Sequence, residues 1–326
     1  MTRPSDDTLV SLAAYGLAGS MFDTPAGPFA PDEWFHLLAA ARQHGLVGIL
    51  AAASHGGEVQ LSAAQREELS VVEREAAGLA LLVEQQVVRT SGLLAAAGLA
   101  HRVLGGPARG RLGYRHLGYR MYSEATMLVE PEAVQLLGVL QGRPGPAGSA
   151  GHDGPDGPDT ANARRQRVHP VVAAPAGASD GLRIEVGHMA DPPTLLVLAD
   201  RPVPTGGIEE HLVLACLEAA ARAEAPGLDL VLRRDITELS MFPAIDAERV
   251  RHVSDVWGVT DLVTHELATT WRFFELADRT PLSVWAARGD APDPGGRVRR
   301  PGRVVGRMVD RLAPGAPGPR TARRVQ

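Results

Sequence analysis

Apolar positions in the first hundred residues recur at intervals of three and four. Pro31 stands where a helix's first N–H has no partner in any case, and Asp32 and Glu33 follow in the first turn. Trp34, Leu37, Leu38 and Ala41 then share one face, and Gly45 stops the segment. A longer helix is predicted from Ser62, with Gln65 three residues on as its capping-box partner. Its stripe of Leu69, Val72, Ala76, Leu79, Val83 and Val87 keeps the helical period until Gly92 and Gly98 weaken the end. These helices read as a packing platform. After Gly98 the period changes. Leu99 to Leu104 reads as a short strand broken by Gly105-Gly106-Pro107, and Ala108 to Tyr119 as a Gly/Arg/Tyr-rich turn. Ala125 to Val129 is a second strand, with a helix expected from Pro131 through Leu140. Further strands are expected at Val168–Ala174, Leu182–His188 and Leu195–Leu198. From Ile208 the helical period returns, over 208–223, 228–241, 246–257 and 259–277.

Helices, a small mixed sheet and then helices again define an α+β fold with a sheet core between helical flanks. The divisions follow the pattern: a helical region over 1–98, an α/β core over 99–205, a helical region over 206–288 and a tail over 289–326. Composition marks the places where the pattern fails. The 36 Gly and 25 Pro among 326 residues concentrate in loops, above all in GRPGPAGSAGHDGPDGPDT, within an expected flexible loop over 142–165.

Charge and residue counts remove several chemistries. All 33 basic residues are arginine, which excludes Schiff-base catalysis and a Walker-A phosphate loop, since both need a lysine amine. One cysteine, Cys216, supplies neither a disulfide nor a thiolate cluster, and its apolar helical setting reads as a buried inert thiol. His265-Glu266 begins an H-E-x-x-H motif that Thr269 breaks. No run approaches the length of a membrane span, and the acidic pair in MTRPSDDTLV is unlike a signal peptide, so the expected location is the cytoplasm. The stretch from Arg288 to Gln326 holds ten Arg against three Asp, so a chain of net charge -5 is an acidic body with a basic tail. A nucleic-acid-binding fold is usually basic in its folded part, which leaves the tail as the one place for nucleic acid or an anionic membrane.

The candidate chemistry lies in an ordered set of short motifs. Leu104-Gly105-Gly106-Pro107 closes a strand, Arg120 follows, and then comes Ser123-Glu124-Ala125-Thr126-Met127-Leu128-Val129-Glu130-Pro131. Gly181 to His188 (GLRIEVGH) is a later strand, and Leu232-Arg233-Arg234-Asp235-Ile236 lies in the helical region beyond it. This layout, over roughly residues 30 to 290, resembles a bacterial family of uncharacterised nucleotidyltransferases within the DNA-polymerase-β-like superfamily. That family's pattern is L-K-G, an Arg, D-x-D-L-L-V-x-P and a later E/D-x-H.

The resemblance implies a nucleotidyltransferase-like sheet core, a nucleoside triphosphate as ligand, Mg²⁺ as cofactor, and an acceptor hydroxyl or protein partner. Mg²⁺ prefers carboxylate oxygens, and two carboxylates at i and i+2 of a strand share a face. By position, Glu124, Thr126 and Glu185 stand in the catalytic places, with Glu124 and Glu185 as the metal ligands that remain. Gly105, Gly106 and Arg120 stand in the nucleotide-binding places, and His188 and Asp235 also match. The departures fall on the chemistry: Glu124 and Thr126 replace two Asp, Gly105 replaces the Lys, and Gly187 replaces the His that His188 follows. A hydroxyl cannot do the work of an anionic ligand, so the site reads as degenerate, in a weakly active or non-catalytic nucleotide- or partner-binding protein. The alternative is metal-dependent transfer of a nucleoside monophosphate to a hydroxyl of a small molecule, sugar or protein.

Simpler readings stand beside these. Glu124 and Thr126 also fit solvent-facing strand positions, and Glu185 between Ile184 and Val186 fits any half-buried strand. Arg120 suits a phosphate or a structural salt bridge equally. Asp235, next to Arg233 and Arg234, reads as a helix-surface ion pair.

Overall fold

The computed structural model describes residues 6–25, 27–133, 182–186, 192–222, 229–276 and 280–289. The expected strand at 168–174, the loop at 142–165, most of the helix after Pro131, His188 and the arginine-rich tail lie outside the described residues.

Four helices lead the chain: α1 (Asp6–Ala14), α2 (Pro31–Gln43), α3 (Val47–His55) and α4 (Ala63–Ala96). On α2 the buried residues are Trp34, Leu37, Leu38 and Ala41, the face read from the spacing. Ser62 and Gln65 close a reciprocal cap at the start of α4, as their three-residue separation requires. At 34 residues α4 is about 50 Å long and reaches two cores. Its first half gives Leu69 and Val72 to the core of α1–α3. Its second half gives Val83, Val87 and Leu94 to the sheet.

The sheet comprises β1 (His101–Leu104), β2 (Ala125–Val129), β3 (Leu182–Val186), β4 (Thr194–Leu198) and β5 (Arg201–Thr205), in the order β3-β2-β1-β5-β4. It is mixed: β1 runs antiparallel to β2 and parallel to β5, while β3 lies parallel to β2. The architecture is α+β, a small sheet between helical flanks, as the pattern predicted. The turn expected over Ala108–Tyr119 is instead a helix, α5 (Gly106–Leu112), followed by a 3₁₀ turn at Leu117–Tyr119. Gly105 reverses the chain at φ 78°, and Pro107 then sits in a first turn that has no use for its N–H. Strand β5 is hidden in the sequence because Pro202 and Pro204 argue against a strand. Two residues apart, they place both missing N–H groups on one edge, and the other edge keeps its donors.

Five helices complete the described chain: α6 (Ile208–Arg222), α7 (Leu230–Ser240), α8 (Ala247–Trp257), α9 (Thr260–Phe273) and α10 (Pro281–Gly289). Leu212, Cys216, Ile236, Val250, Val263 and Leu267 form the centre of their core. The side chain of Cys216 is fully buried, and burial holds its thiol protonated, as expected of an inert cysteine. Asp229 and Asp246 cap α7 and α8 by accepting from backbone N–H groups in the first turns.

Candidate functional site

A cleft of about 1330 Å³ opens where the ends of β1 and β2 face α4, α6 and the start of α7. It is larger than a pocket for one small ligand, for which about 300–1,000 Å³ is usual. Leu104, Gly105, Gly106, Glu124 and Thr126 all line it, so the two strand-end motifs converge there. They meet because β1 and β2 pair antiparallel, which sets Leu104 opposite Thr126. Gly106 is required by packing: a Cβ there would stand 2.7 Å from the Cβ of Tyr122. Apolar residues of α4 form another wall. Leu79, a member of the helical stripe, is 39% exposed because it turns toward this cleft and not into a core.

The pairing of β2 with β3 brings the third segment alongside. Glu185 sits beside Leu128 in that ladder, and Arg183 sits beside Thr126. The backbone therefore joins the 124–126 and 185 segments in one sheet, with Glu185 two positions further along than Thr126.

Arg120 and Asp235 form a buried pair behind the cleft floor. Arg120 Nε donates to Asp235 Oδ1 at 2.8 Å, Nη2 to Oδ2 at 3.1 Å, and Nη1 to the Met121 carbonyl at 2.7 Å. All three guanidinium nitrogens are engaged, so of its two readings the structural salt bridge is the one realised. Asp235 is fully buried, which corrects the expected surface pair with Arg233 and Arg234. It also accepts from Tyr114 at 2.7 Å and from Arg109 at 3.4 Å. Burial opposes the charge of Arg109, but Glu218 and Asp235 outweigh it and hold the guanidinium firmly protonated. Burial, with Asp235 next to it, keeps the Tyr114 phenol protonated well above its ordinary range.

The acids that line the cleft are all partnered. Glu218 takes Arg109 on both prongs, at 2.7 and 2.9 Å. Glu75 pairs with Arg42 at 2.8 Å, Asp229 with Arg222 at 2.5 Å, and Glu124 with the same Arg222 at 3.9 Å. Exposed pairs of this kind contribute about 0–1 kcal/mol each and exchange readily for another anion, whereas buried Arg109 and Arg120 are fixed. Sequence reasoning missed Arg42, Arg74, Arg109, Glu218 and Arg222, which come from four helices, only Glu218 and Arg222 sharing one. The one signal for them was compositional: without lysine, a phosphate site in this chain that uses a permanently charged side chain uses arginine.

Mg²⁺ does not fit the described residues. Thr126 carries no charge, Glu124 faces a guanidinium, and no group of three His, Cys, Asp or Glu among the described residues could hold a metal; the side chain of Glu185, the other expected ligand, lies outside the described residues. Among those residues, too, no helix is long and apolar enough to cross a membrane.

Residues 30–140 match the family model described as uncharacterised nucleotidyltransferase. The match covers about a third of the chain, from α2 through β2, and supports a nucleotidyltransferase family. It includes Gly105, Gly106, Arg120, Glu124 and Thr126, and ends before the β3 segment and the C-terminal helices. No curated protein and no solved structure matches the chain.

Proposed function

We propose that this is a nucleotidyltransferase-family protein whose cleft binds a nucleoside triphosphate and which transfers nucleotidyl groups weakly or not at all. The observation that carries the reading is the convergence of Gly105, Gly106, Glu124 and Thr126 on one cleft, within the segment that matches the family. Its size suits a nucleotide with room for a second molecule, and five arginines line it. The weakness of the chemistry follows from Thr126. Stabilising a developing charge at the phosphates is the main task of such a site, and each 1.4 kcal/mol lost there is about tenfold in rate. Incubating the protein with labelled ATP, GTP, CTP and UTP, Mg²⁺ or Mn²⁺ and cell extract tests this. The expected result is little labelled product and no change on Glu185→Ala. Rapid labelling that Glu185→Ala abolishes would refute a decayed site.

A second reading, active transfer to a hydroxyl acceptor, is favoured by the parallel β2–β3 pairing that sets the Glu185 strand beside β2. In that reaction the acceptor hydroxyl gives up its proton to solvent, its oxygen bonds to the α-phosphorus, the bridging bond to the β-phosphate breaks, and pyrophosphate leaves. The acceptor, a protein partner and a cytoplasmic location belong to the proposal. So does attachment of the tail to nucleic acid or membrane, which predicts salt-sensitive binding that disappears when residues after Asp290 are removed.

A further inference from the structure

Each of the four carboxylates lining the cleft, Glu75, Glu124, Glu218 and Asp229, is held by an arginine. The motif's second acidic position is Thr126, which carries no charge. A dication placed beside Glu124 would meet the Arg222 guanidinium, 3.9 Å from that carboxylate, and no second negative charge at Thr126. A polyphosphate meets the opposite situation. The side chains of Arg42 and Arg222 are 55% and 49% exposed, and their carboxylate partners are single charges that a multiply charged anion can replace. Arg74 donates to Ser70 Oγ at 2.9 Å and has no carboxylate partner among the described residues. An arginine fork matches phosphate oxygens in pairs, and each contact gains from the charge on both sides.

We infer that the cleft takes the triphosphate chain of a nucleotide as a metal-free anion. Arg42, Arg74 and Arg222 are its cations, and Glu124 is a second counter-ion of Arg222, beside Asp229, in place of a magnesium ligand. This rests on the nucleotide-binding reading above and changes what that site is for. The motif's acidic position becomes a gatekeeper that an incoming phosphate displaces, and binding becomes independent of the ion on which transfer chemistry depends.

Calorimetry on the full chain tests it, with ATP titrated in excess EDTA and, separately, in excess Mg²⁺. ATP binds in EDTA at least as tightly as with Mg²⁺, weakens as salt rises, and is displaced by inorganic tripolyphosphate. Arg74→Ala weakens metal-free binding about tenfold, the loss expected for one charged contact. Glu124→Gln tightens it about threefold by removing one of the two carboxylates that face Arg222, Asp229 being the other. Both side chains are exposed, so neither change threatens the fold. Binding that needs Mg²⁺ and is lost in Glu124→Gln would overturn the inference and leave the nucleotide reading standing. ATP binding in EDTA that tripolyphosphate cannot displace would also overturn it. Failure of ATP and tripolyphosphate to bind under either condition would remove both.

Discussion

At the scale of single residues, the most consequential buried group outside the cleft is His211 on α6. Thr205 Oγ1 donates to the Val103 carbonyl at 2.6 Å, so it accepts from His211 Nε2–H at 2.8 Å. That bond fixes the neutral tautomer, and Nδ1 is left buried without a partner among the described residues. Burial, then the nearby Arg109 charge, lower the imidazole pKa to about 3. In the unfolded chain the same ring titrates near 6.5. Above that value both states are neutral and pH has no effect through this group. Below it the unfolded state takes up a proton that the native state refuses, so stability falls between about pH 6.5 and 3 at about 1.4 kcal/mol per unit. From pH 7.5 to 5.0 the expected loss from this histidine is about 2 kcal/mol. His211→Gln keeps an N–H for Thr205 and cannot titrate. Urea unfolding at the two pH values should therefore show a shallower decline in the variant, and equal declines would refute the assignment.

At the scale of elements, glycine has opposite meanings in α4 and at the start of α5. Gly92 is helical, and a Cβ there meets nothing within 4 Å. Gly92→Ala should stabilise the protein by about 0.4–1 kcal/mol through loss of unfolded-state freedom, read as a rise in Tm. Gly106→Ala drives a Cβ to 2.7 Å from Tyr122 and should cost about 1–3 kcal/mol, because the packed ring and the β2 entry have to shift. The same two helices mark what is legible in the sequence. Amphipathic elements with their own caps can be read: α2 from Pro31 and its apolar face, α4 from Ser62 and Gln65, and β2 in full. Elements made by context cannot. Strand β5 contains two prolines, and α5 looks like a turn until Gly105 is seen at a positive φ. The site divides the same way. The strand-end residues are legible because they are contiguous, while the arginines that surround them come from other helices. Asp235 is misleading in the sequence because its neighbours there, Arg233 and Arg234, are not its partners in the fold.

At the scale of the molecule, α7 fastens the parts together through two adjacent residues that point in different directions. Arg234 donates to the carbonyls of Ala13 and Tyr15 at 2.7 and 2.6 Å, and is paired with Glu238, so it secures the end of α1. Asp235 gathers Arg109 of α5, Arg120 and Tyr114, the segment between β1 and β2 that forms the cleft floor. Helix α7 thus ties the N-terminal helices to the sheet, while its apolar face, with Ile236 and Leu239, belongs to the C-terminal core. Removing the charge of Asp235 without changing its volume leaves Arg120 buried with no anion, and breaking such a pair from one side costs about 3–5 kcal/mol. Removing an exposed cation such as Arg42, paired with Glu75, should cost less than about 1 kcal/mol. Chemical denaturation of Asp235→Asn and Arg42→Ala measures both losses. Hydrogen exchange adds a readout of place: in Asp235→Asn the amides of 106–122 should exchange faster than those of α8, whose contacts the substitution leaves alone. A loss below about 1 kcal/mol in Asp235→Asn, or faster exchange confined to α7, would mean that the three parts are joined by apolar packing and that the buried ion pairs only decorate the joint.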